Sequence, residues 1–348
     1  MNSIPVTVKR SIELLGLCLL GIILVVGKDI IMPLMMAFFF SLLLLPAYRF
    51  LKKIKMPNVI ALFLPILGSI IIVALIVWLF SMQIGALMKD FSTIQTNVTH
   101  HLNELSQWIY SIAGFSPTAQ LKFINEQSRK LLSSVGGLSK MAAGSLSGII
   151  LFFAILPVYI FLIMMYRNIF MKFVLMWFKP EEHQGLIQVV KQVEVMVKSY
   201  LAGLLIQISY IIVLLGVVLM LFGIKHAFLI GIIFAFLNLI PYLGALIGNI
   251  LGILITLASS DKLIDIVIVL ITISVVQLLD NNILMPRIVG SKVKINALVS
   301  ILGIIVAGSM AGISGMFLAM PIIAIFKIIF DHTSGFKKWG VLLGDEHI

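Results

Sequence analysis

The chain has 348 residues, of which 61% are hydrophobic and only 11% charged, with a mean hydropathy of +1.17; a soluble domain carries about a quarter charged residues, so the composition excludes one and describes a polytopic membrane protein. The formal charge of +11 does not imply nucleic acid, because the basic residues flank apolar runs, where they set orientation, and no compact basic module interleaved with aromatics is present. The single cysteine, Cys18, lies inside the first apolar run, which excludes an intrachain disulfide and a disulfide-stapled ectodomain.

Residues 9–27 imitate a signal peptide, with Lys9 and Arg10 ahead of an apolar run. No small-x-small cleavage site follows, and Lys28-Asp29 leads straight into further apolar sequence, so a retained first helix is expected. Apolar spans fall at about 11–27, 30–46, 59–84, 146–166, 199–222, 227–258, 263–285 and 297–330, and about 20 apolar residues cross a bilayer. The first two are short and are expected to form a tight pair with Lys28-Asp29 at the tip. Pro33 and Pro46 sit at the ends of the second span, where proline is tolerated.

Between the third and fourth spans, Ile84, Phe91, Val98, Leu105 and Ile112 recur every seven residues. Leu87 or Met88, Ile94, Leu102 and Trp108 or Ile109 supply a second apolar position, which gives a four-heptad helical stripe. Gly114-Phe-Ser-Pro117 ends it, and a second helical piece over 118–135 stops at Gly136-Gly137. This arm packs on its own neighbour or joins subunits. Residues 168–198 form a linker. Pro180-Glu181-Glu182 starts a helix well, and Leu186, Val189, Val190, Val193, Val197 and Leu201 make one apolar face running into the fifth span, as an interfacial helix does.

The segments 227–258 and 297–330 are each too long for one crossing. As a single helix, 227–258 would extend about 48 Å against a hydrocarbon core of about 30 Å. Each is interrupted, the first at Asn238-Leu-Ile-Pro241-Tyr242-Leu-Gly244, the second at Gly308-Ser309-Met-Ala-Gly312-Ile-Ser314-Gly315. Such paired interruptions point to a transporter's binding site, because backbone leaves the helix within a membrane only where protein or water can satisfy it. If both segments double back, Lys9, Arg10, Arg49, Lys52, Lys53, Lys55, Arg167, Lys172, Lys179, Lys191, Lys198, Arg287, Lys292, Lys294, Lys327, Lys337 and Lys338 fall inside, with both termini cytoplasmic. The parts 199–258 and 263–330 then share one plan, a helix followed by a broken hairpin, entered from opposite sides.

Three constellations carry possible chemistry. In Gln277-Leu-Leu-Asp280-Asn281-Asn282-Ile-Leu-Met-Pro286-Arg287, an acid and three amides end an apolar helix, which is expensive unless they face a cavity or partners; an interfacial carboxylate is the bland alternative. Gln277 and Asp280 share a helix face, and Arg287 lies two turns beyond. At the first break, Pro241 removes a backbone donor, Gly244 lets the chain turn, and Asn238 and Tyr242 can complete a polar pocket. At the second, Gly308, Gly312 and Gly315 suit close packing as well as binding, with Ser309 and Ser314 as polar contacts. Gly312-Ile-Ser314-Gly315 also imitates an intramembrane serine protease, but that serine needs a base, and none of His100, His101, His183, His226, His332 and His347 lies in mid-membrane on a separate span. No metal-ligand cluster or phosphate-binding glycine loop is recognised, so no cofactor, no enzymatic activity and no ATP-driven pump is expected.

The chain resembles the autoinducer-2 exporter family of prokaryotic transporters over nearly its whole length. The resemblance rests on Pro46, Tyr200-Leu-Ala-Gly203, Ile240-Pro-Tyr-Leu-Gly244, Gln277…Asp280-Asn…Pro286-Arg-Ile-Val-Gly290, the glycines of 308–315 and Pro321. The family usually has glutamate at Asp280, proline at Ala245 and His-Pro at Asn296-Ala297. The resemblance implies a homo-oligomeric inner-membrane transporter that exports autoinducer-2 or exchanges sodium or lithium for protons. A neutral polyhydroxylated solute would use Asn238, Tyr242, Asn249, Gln277 and Asn282.

The expected architecture is thus an all-α polytopic membrane protein with about eight membrane segments, two re-entrant-like broken hairpins in an inverted repeat, and an extramembrane arm. Its divisions are a scaffold at 1–84, the arm at 85–145, the fourth span and linker at 146–198, the repeats at 199–258 and 259–335, and a tail at 336–348. The expected function is secondary transport of a small polar solute or a monovalent cation through a site between the hairpins. A non-transporting membrane scaffold is the competing class.

Overall fold

The computed structural model describes residues 6–90, 152–241, 243–284, 295–333 and 335–344, with scattered positions between 93 and 111. The described residues are helical, without strands. In chain order the helices are α1 (Val6–Val26), α2 (Lys28–Lys53), α3 (Asn58–Lys89) and α4 (Phe152–Leu175). A short 3-10 turn, Pro180–Glu182, precedes α5 (His183–Leu221), α6 (Ala227–Leu237), α7 (Leu243–Ser259) and α8 (Leu263–Leu279). The π-helical turn Asp280–Leu284 continues α8, and α9 (Ala297–His332) and α10 (Lys337–Leu343) follow. Among the described residues, six helices are long and apolar enough to cross a membrane: α2, α3, α4, α5 with its leading turn, α8 through Ile283, and α9. Two of the eight expected segments are not among them. The apolar part of α1 is only Leu14–Val26, and 227–258 is two short helices.

The chain divides into two compact units. The first comprises Met1–Gly68, Ala154–Ala202 and Val289–Ile348. Its core is Ala37, Leu45 and Tyr48 of α2, Ala61, Leu62 and Ile66 of α3, and Ile160 and Met164 of α4. Polar ties close its basic end: the Tyr48 hydroxyl donates to Asn58 Oδ1 at 2.8 Å, the Arg167 guanidinium stacks 4.4 Å over the Tyr48 ring, and Arg49 pairs with Glu194 at 2.7 Å. Lys28 and Asp29, expected at the tip of a tight pair, instead lie in the first turn of α2, and only Gly27 separates α1 from α2. Its N–H bonds the Ile23 carbonyl and its carbonyl takes the Ile31 N–H, so helical bonding persists on both sides of the break. Helix α2 also continues past Pro46, because Tyr48, beyond the proline, packs into the core. The interfacial linker and the fifth span are one helix of 39 residues.

Helix α9 is two helices joined at Ala311 (φ −135°, ψ 16°) and Gly312 (φ 62°, ψ −145°). Gly303 faces Ile323, Gly308 faces Met316, and Gly315 lies against the Ala307 carbonyl. These pairs straddle 312, so the two legs run antiparallel and in contact. Gly312 takes a conformation that side chains strongly disfavour, and Gly315 has no room for a Cβ.

The second unit comprises Ser69–Phe153 and Gly203–Ile288. Its core joins Ile211, Leu215 and Leu219 of α5 to Ile230, Phe234 and Ala235 of α6 and to Val269, Ile273 and Val276 of α8. The i, i+4 spacing of Ile211, Leu215 and Leu219, and the i, i+4, i+7 spacing of Val269, Ile273 and Val276, put each of these sets on one helix face. Helices α6 and α7 form another antiparallel hairpin: Gly252 faces Ile230, Gly248 faces Phe234, and Gly244 lies against the Leu237 carbonyl. The chain turns at Ile240 and Pro241. The legs have 11 and 17 residues, so the first is about 16 Å long.

The described positions of the expected arm are helical apart from a turn at Asp90, and Ile94 N–H bonds the Asp90 carbonyl at 2.9 Å. Asn97 donates to the Ala258 carbonyl and His101 bonds the Ser260 carbonyl, which ties this segment to the α7–α8 turn. Phe91, Val98, Leu102, Leu105, Trp108, Ile109, Ile112 and the piece over 118–135 lie outside the described residues, as do Tyr242, Pro286 and Arg287.

Candidate functional site

Asp280 is the centre of the second unit's polar chemistry. It caps the C-terminus of α8 and is only 1% exposed. Its Oδ2 accepts two hydrogen bonds, from Gln207 Nε2 at 2.7 Å and from Asn238 Nδ2 at 3.0 Å. Those partners are themselves 4% and 7% exposed. Among the described residues, Asp280 Oδ1 is buried without a partner, and so are Gln207 Oε1, Gln277 Oε1 and the Tyr210 hydroxyl. Gln277 Nε2 donates to Asn281 Oδ1 at 3.2 Å. Among the described residues no cation pairs with Asp280.

Local structure explains how these groups meet. Gln207 and Tyr210 are one turn apart on α5. Asn238 caps α6 where the hairpin begins to turn, and the close fit of Gly244 against Leu237 fixes that turn. Gln277 and Asp280 lie one turn apart at the end of α8, where the ladder widens into a π-helical turn. Such turns recur at functional sites. The C-terminus of α6 ends here, and helix C-termini carry partial negative charge. A carboxylate, buried amide oxygens and such a terminus suit a proton or cation and disfavour an anion.

The expected site residues divide accordingly. Asn238 and Asp280 are bonded to each other, whereas Gln277 and Asn281, on the same helix end, bond one another on its exposed side. Gly244 builds the turn, and Pro241 sits at its tip. Asn249 donates to its own helix at the Ala245 carbonyl, and Asn282 donates to the Leu278 carbonyl. Gly308, Ser309, Gly312, Ser314 and Gly315 belong to the first unit's hairpin. Ser309 there bonds the Val306 carbonyl at 2.7 Å, and Gly308 and Gly315 have steric reasons to be glycine. Sequence reasoning missed Gln207 and Tyr210. The signal was available, because a glutamine within an apolar span is a functional residue by default.

A second polar cluster in this unit lies outside the spans. Asp90 Oδ2 is 2.9 Å from Lys225 Nζ and 3.1 Å from His226 Nε2. His226, at φ 60°, begins α6. The hydrogen bond from Lys225 holds the Asp90 carboxyl below its ordinary range, and burial holds the His226 imidazole below its own.

With this geometry in hand, comparison with known proteins is decisive at the family level. The model of the AI-2E family transporters matches residues 14–335. The chain belongs to that family. It is 25% identical to the AI-2 transport protein TqsA of Escherichia coli (strain K12) over 348 residues, 99% of this chain and 97% of the relative. It is also 25% identical to the "Putative transport protein YrrI" of Bacillus subtilis (strain 168) over 312 residues, 88% of this chain and 87% of the relative. AI-2E membership and the six long apolar helices together support a multi-pass membrane protein with a role in transport.

Proposed function

We propose that this protein is a secondary transporter of the bacterial inner membrane that exchanges a monovalent cation for protons at the Asp280 carboxylate. The observation that carries this reading is the asymmetry of that carboxylate. Oδ2 is occupied by two N–H donors, whereas Oδ1 is buried and has no partner among the described residues. A proton or a cation would therefore be taken at Oδ1. The unpartnered oxygens of Gln207 and Gln277 are the neutral ligands a hard cation prefers. One oxygen that takes a proton or a cation, but not both, is the simplest coupling for exchange.

Two features supply the membrane context. Helix α6, at about 16 Å, reaches only half-way through a core of about 30 Å, which supports reading 227–258 as re-entrant. The α9 hairpin follows α8 as the α6–α7 hairpin follows α5, which supports an inverted repeat. The basic residues of 49–55 and 167–198 favour cytoplasmic termini.

The test is flux in proteoliposomes, comparing wild type with Asp280→Asn. The substitution should abolish coupled cation/proton exchange, and exchange that survives it excludes the reading. A second reading, export of a small polar solute, is favoured by the name of the Escherichia coli relative and by the amides around Asp280. Release of autoinducer-2 from the same vesicles separates the two.

A further inference from the structure

We propose that His100, His101 and Glu104 form a binding site for a late first-row divalent metal ion, Zn2+ foremost, at the base of the segment that follows α3. This goes beyond the transport reading and does not depend on it. The three side chains each offer one ligand atom, and these atoms lie within 4.8 Å of one another. Glu104 Oε2 is the shared vertex, 3.7 Å from His100 Nδ1 and 3.5 Å from His101 Nδ1.

The state of His101 points to a ligand. Its Nε2 lies 2.9 Å from the Ser260 carbonyl. A carbonyl only accepts, so Nε2 carries the proton and a neutral ring presents its lone pair at Nδ1. That atom is buried and makes no hydrogen bond, on a side chain only 4% exposed. Metal-binding histidines are held in this way, with the far ring N–H on a backbone carbonyl and the near nitrogen free.

A lone pair and a carboxylate oxygen that face each other need a positive charge between them, a proton or a metal ion. The separation favours the metal. A charge-assisted N–H···O bond closes to about 2.7–2.9 Å, whereas tetrahedral ligands bound at about 2.0–2.1 Å sit about 3.4 Å apart. The observed 3.5 and 3.7 Å are within a few tenths of that edge. The two imidazoles meet at 80° rather than stacking, so both can aim at one point. Two imidazoles and a carboxylate suit Zn2+, Co2+, Ni2+ or Cu2+ better than Mg2+ or Ca2+. Half-exposed His100 and Glu104 leave a fourth position open to water. Neighbouring histidines in sequence do not share a helix face, which hides the motif from a periodicity search. Glu104, at i+4 from one and i+3 from the other, serves both. Because His101 also holds the α7–α8 turn, a bound ion would brace that turn.

The experiment uses the full-length protein without an affinity tag, stripped with chelator in detergent. It is titrated with Zn2+ by calorimetry and with Co2+ by absorption. One ion per chain is expected, with the intense bands of tetrahedral Co2+ and a rise in thermal midpoint on adding Zn2+. Loss of an outer partner alone costs a metal site about 10–100-fold, so His101→Ala should weaken binding at least about tenfold. His101 is buried, so its variant can misfold; His100→Ala and Glu104→Gln change exposed side chains and should weaken binding as much while eluting and melting as the metal-free wild type does. His183→Ala should leave binding unchanged. If the wild type binds no Zn2+, or binds it no more tightly than the His100→Ala/Glu104→Gln double variant, the three residues form an ordinary ion pair and the proposal is wrong.

Discussion

Asp280 provides the sharpest quantitative test, because two substitutions there should separate function from stability. In Asp280→Asn the shape is kept, and the new carbonyl oxygen can still accept from Gln207 Nε2 and Asn238 Nδ2. Hydrogen bonds to a charged group contribute about 1.5–3 kcal/mol and neutral ones about 0.5–1.5 kcal/mol, so the weakening is about 1–1.5 kcal/mol per bond. Against this stands relief from burying a charge that has no ion-pair partner among the described residues, a cost of several kcal/mol in a protein interior. The net expectation is an Asn variant as stable as wild type, or more so, without exchange activity. In Asp280→Ala both donors lose their acceptor. Each buried orphan costs about 1–3 kcal/mol, and both variants lose the charge, so the Ala variant should be about 2–6 kcal/mol less stable than the Asn variant. Thermal unfolding in detergent, read beside proteoliposome flux, resolves the three proteins. If Asp280→Ala melts with Asp280→Asn, the bonds to Gln207 and Asn238 do not hold this site together and the reasoning fails. Asp280→Glu, which restores the residue usual in the family, should retain exchange.

Further outcomes follow from the same geometry. Gln207→Leu removes one donor to Asp280 and one free oxygen while keeping an apolar helix; flux should fall by at least tenfold, or about 1.4 kcal/mol, and unchanged flux would remove Gln207 from the site. Gly244→Ala forces a Cβ into the Leu237 carbonyl, and overpacking costs about 1–3 kcal/mol; its melting temperature should drop, whereas Gly68→Ala, with open space at its Cβ, should not. Gly312→Ala meets no atoms but must hold φ 62°, a strain of about 1–3 kcal/mol. For the Asp90–Lys225–His226 cluster, both acids are depressed in the folded state, so the unfolded chain takes up each proton first and stability rises with pH. It should be full above the ordinary imidazole value of 6.5, fall as pH drops below it, and fall again below the ordinary carboxyl value of 3.8; His226→Gln should abolish the first fall in melting temperature.

Much of the fold was legible because lipid leaves a chain few options. An apolar run must be helical, and one too long to cross must break where glycine or proline permits. That reasoning placed the interruptions at Asn238–Gly244 and Gly308–Gly315, and the structure turns the chain at Ile240–Pro241 and at Ala311–Gly312. It could not separate the roles of the glycines. Gly312 needs a backbone angle, whereas Gly244 and Gly315 need the absence of a Cβ beside a carbonyl from the other leg. That second requirement depends on which residues face across the hairpin. The ends of helices were least legible. Pro46 looked like a terminus, because proline breaks isolated helices, but tertiary packing at Tyr48 carries α2 past it.

The site was legible as residue types and hidden as an arrangement. Asp280 and Asn238 stand out, since buried polar groups in an apolar chain demand partners. What joins them is α5, whose Gln207 lies 73 positions before Asp280, and no local pattern carries that separation. The consequence reaches beyond the missed residue. With Gln207 and Asn238 both donating to Oδ2, a carboxylate that sequence alone offers as two equivalent oxygens becomes a site with one occupied and one vacant atom. A motif made of Asp280 with Gln277 and Asn281 cannot express that distinction, because its members share one helix. The asymmetry arises only when a second helix and a hairpin cap converge on the same atom.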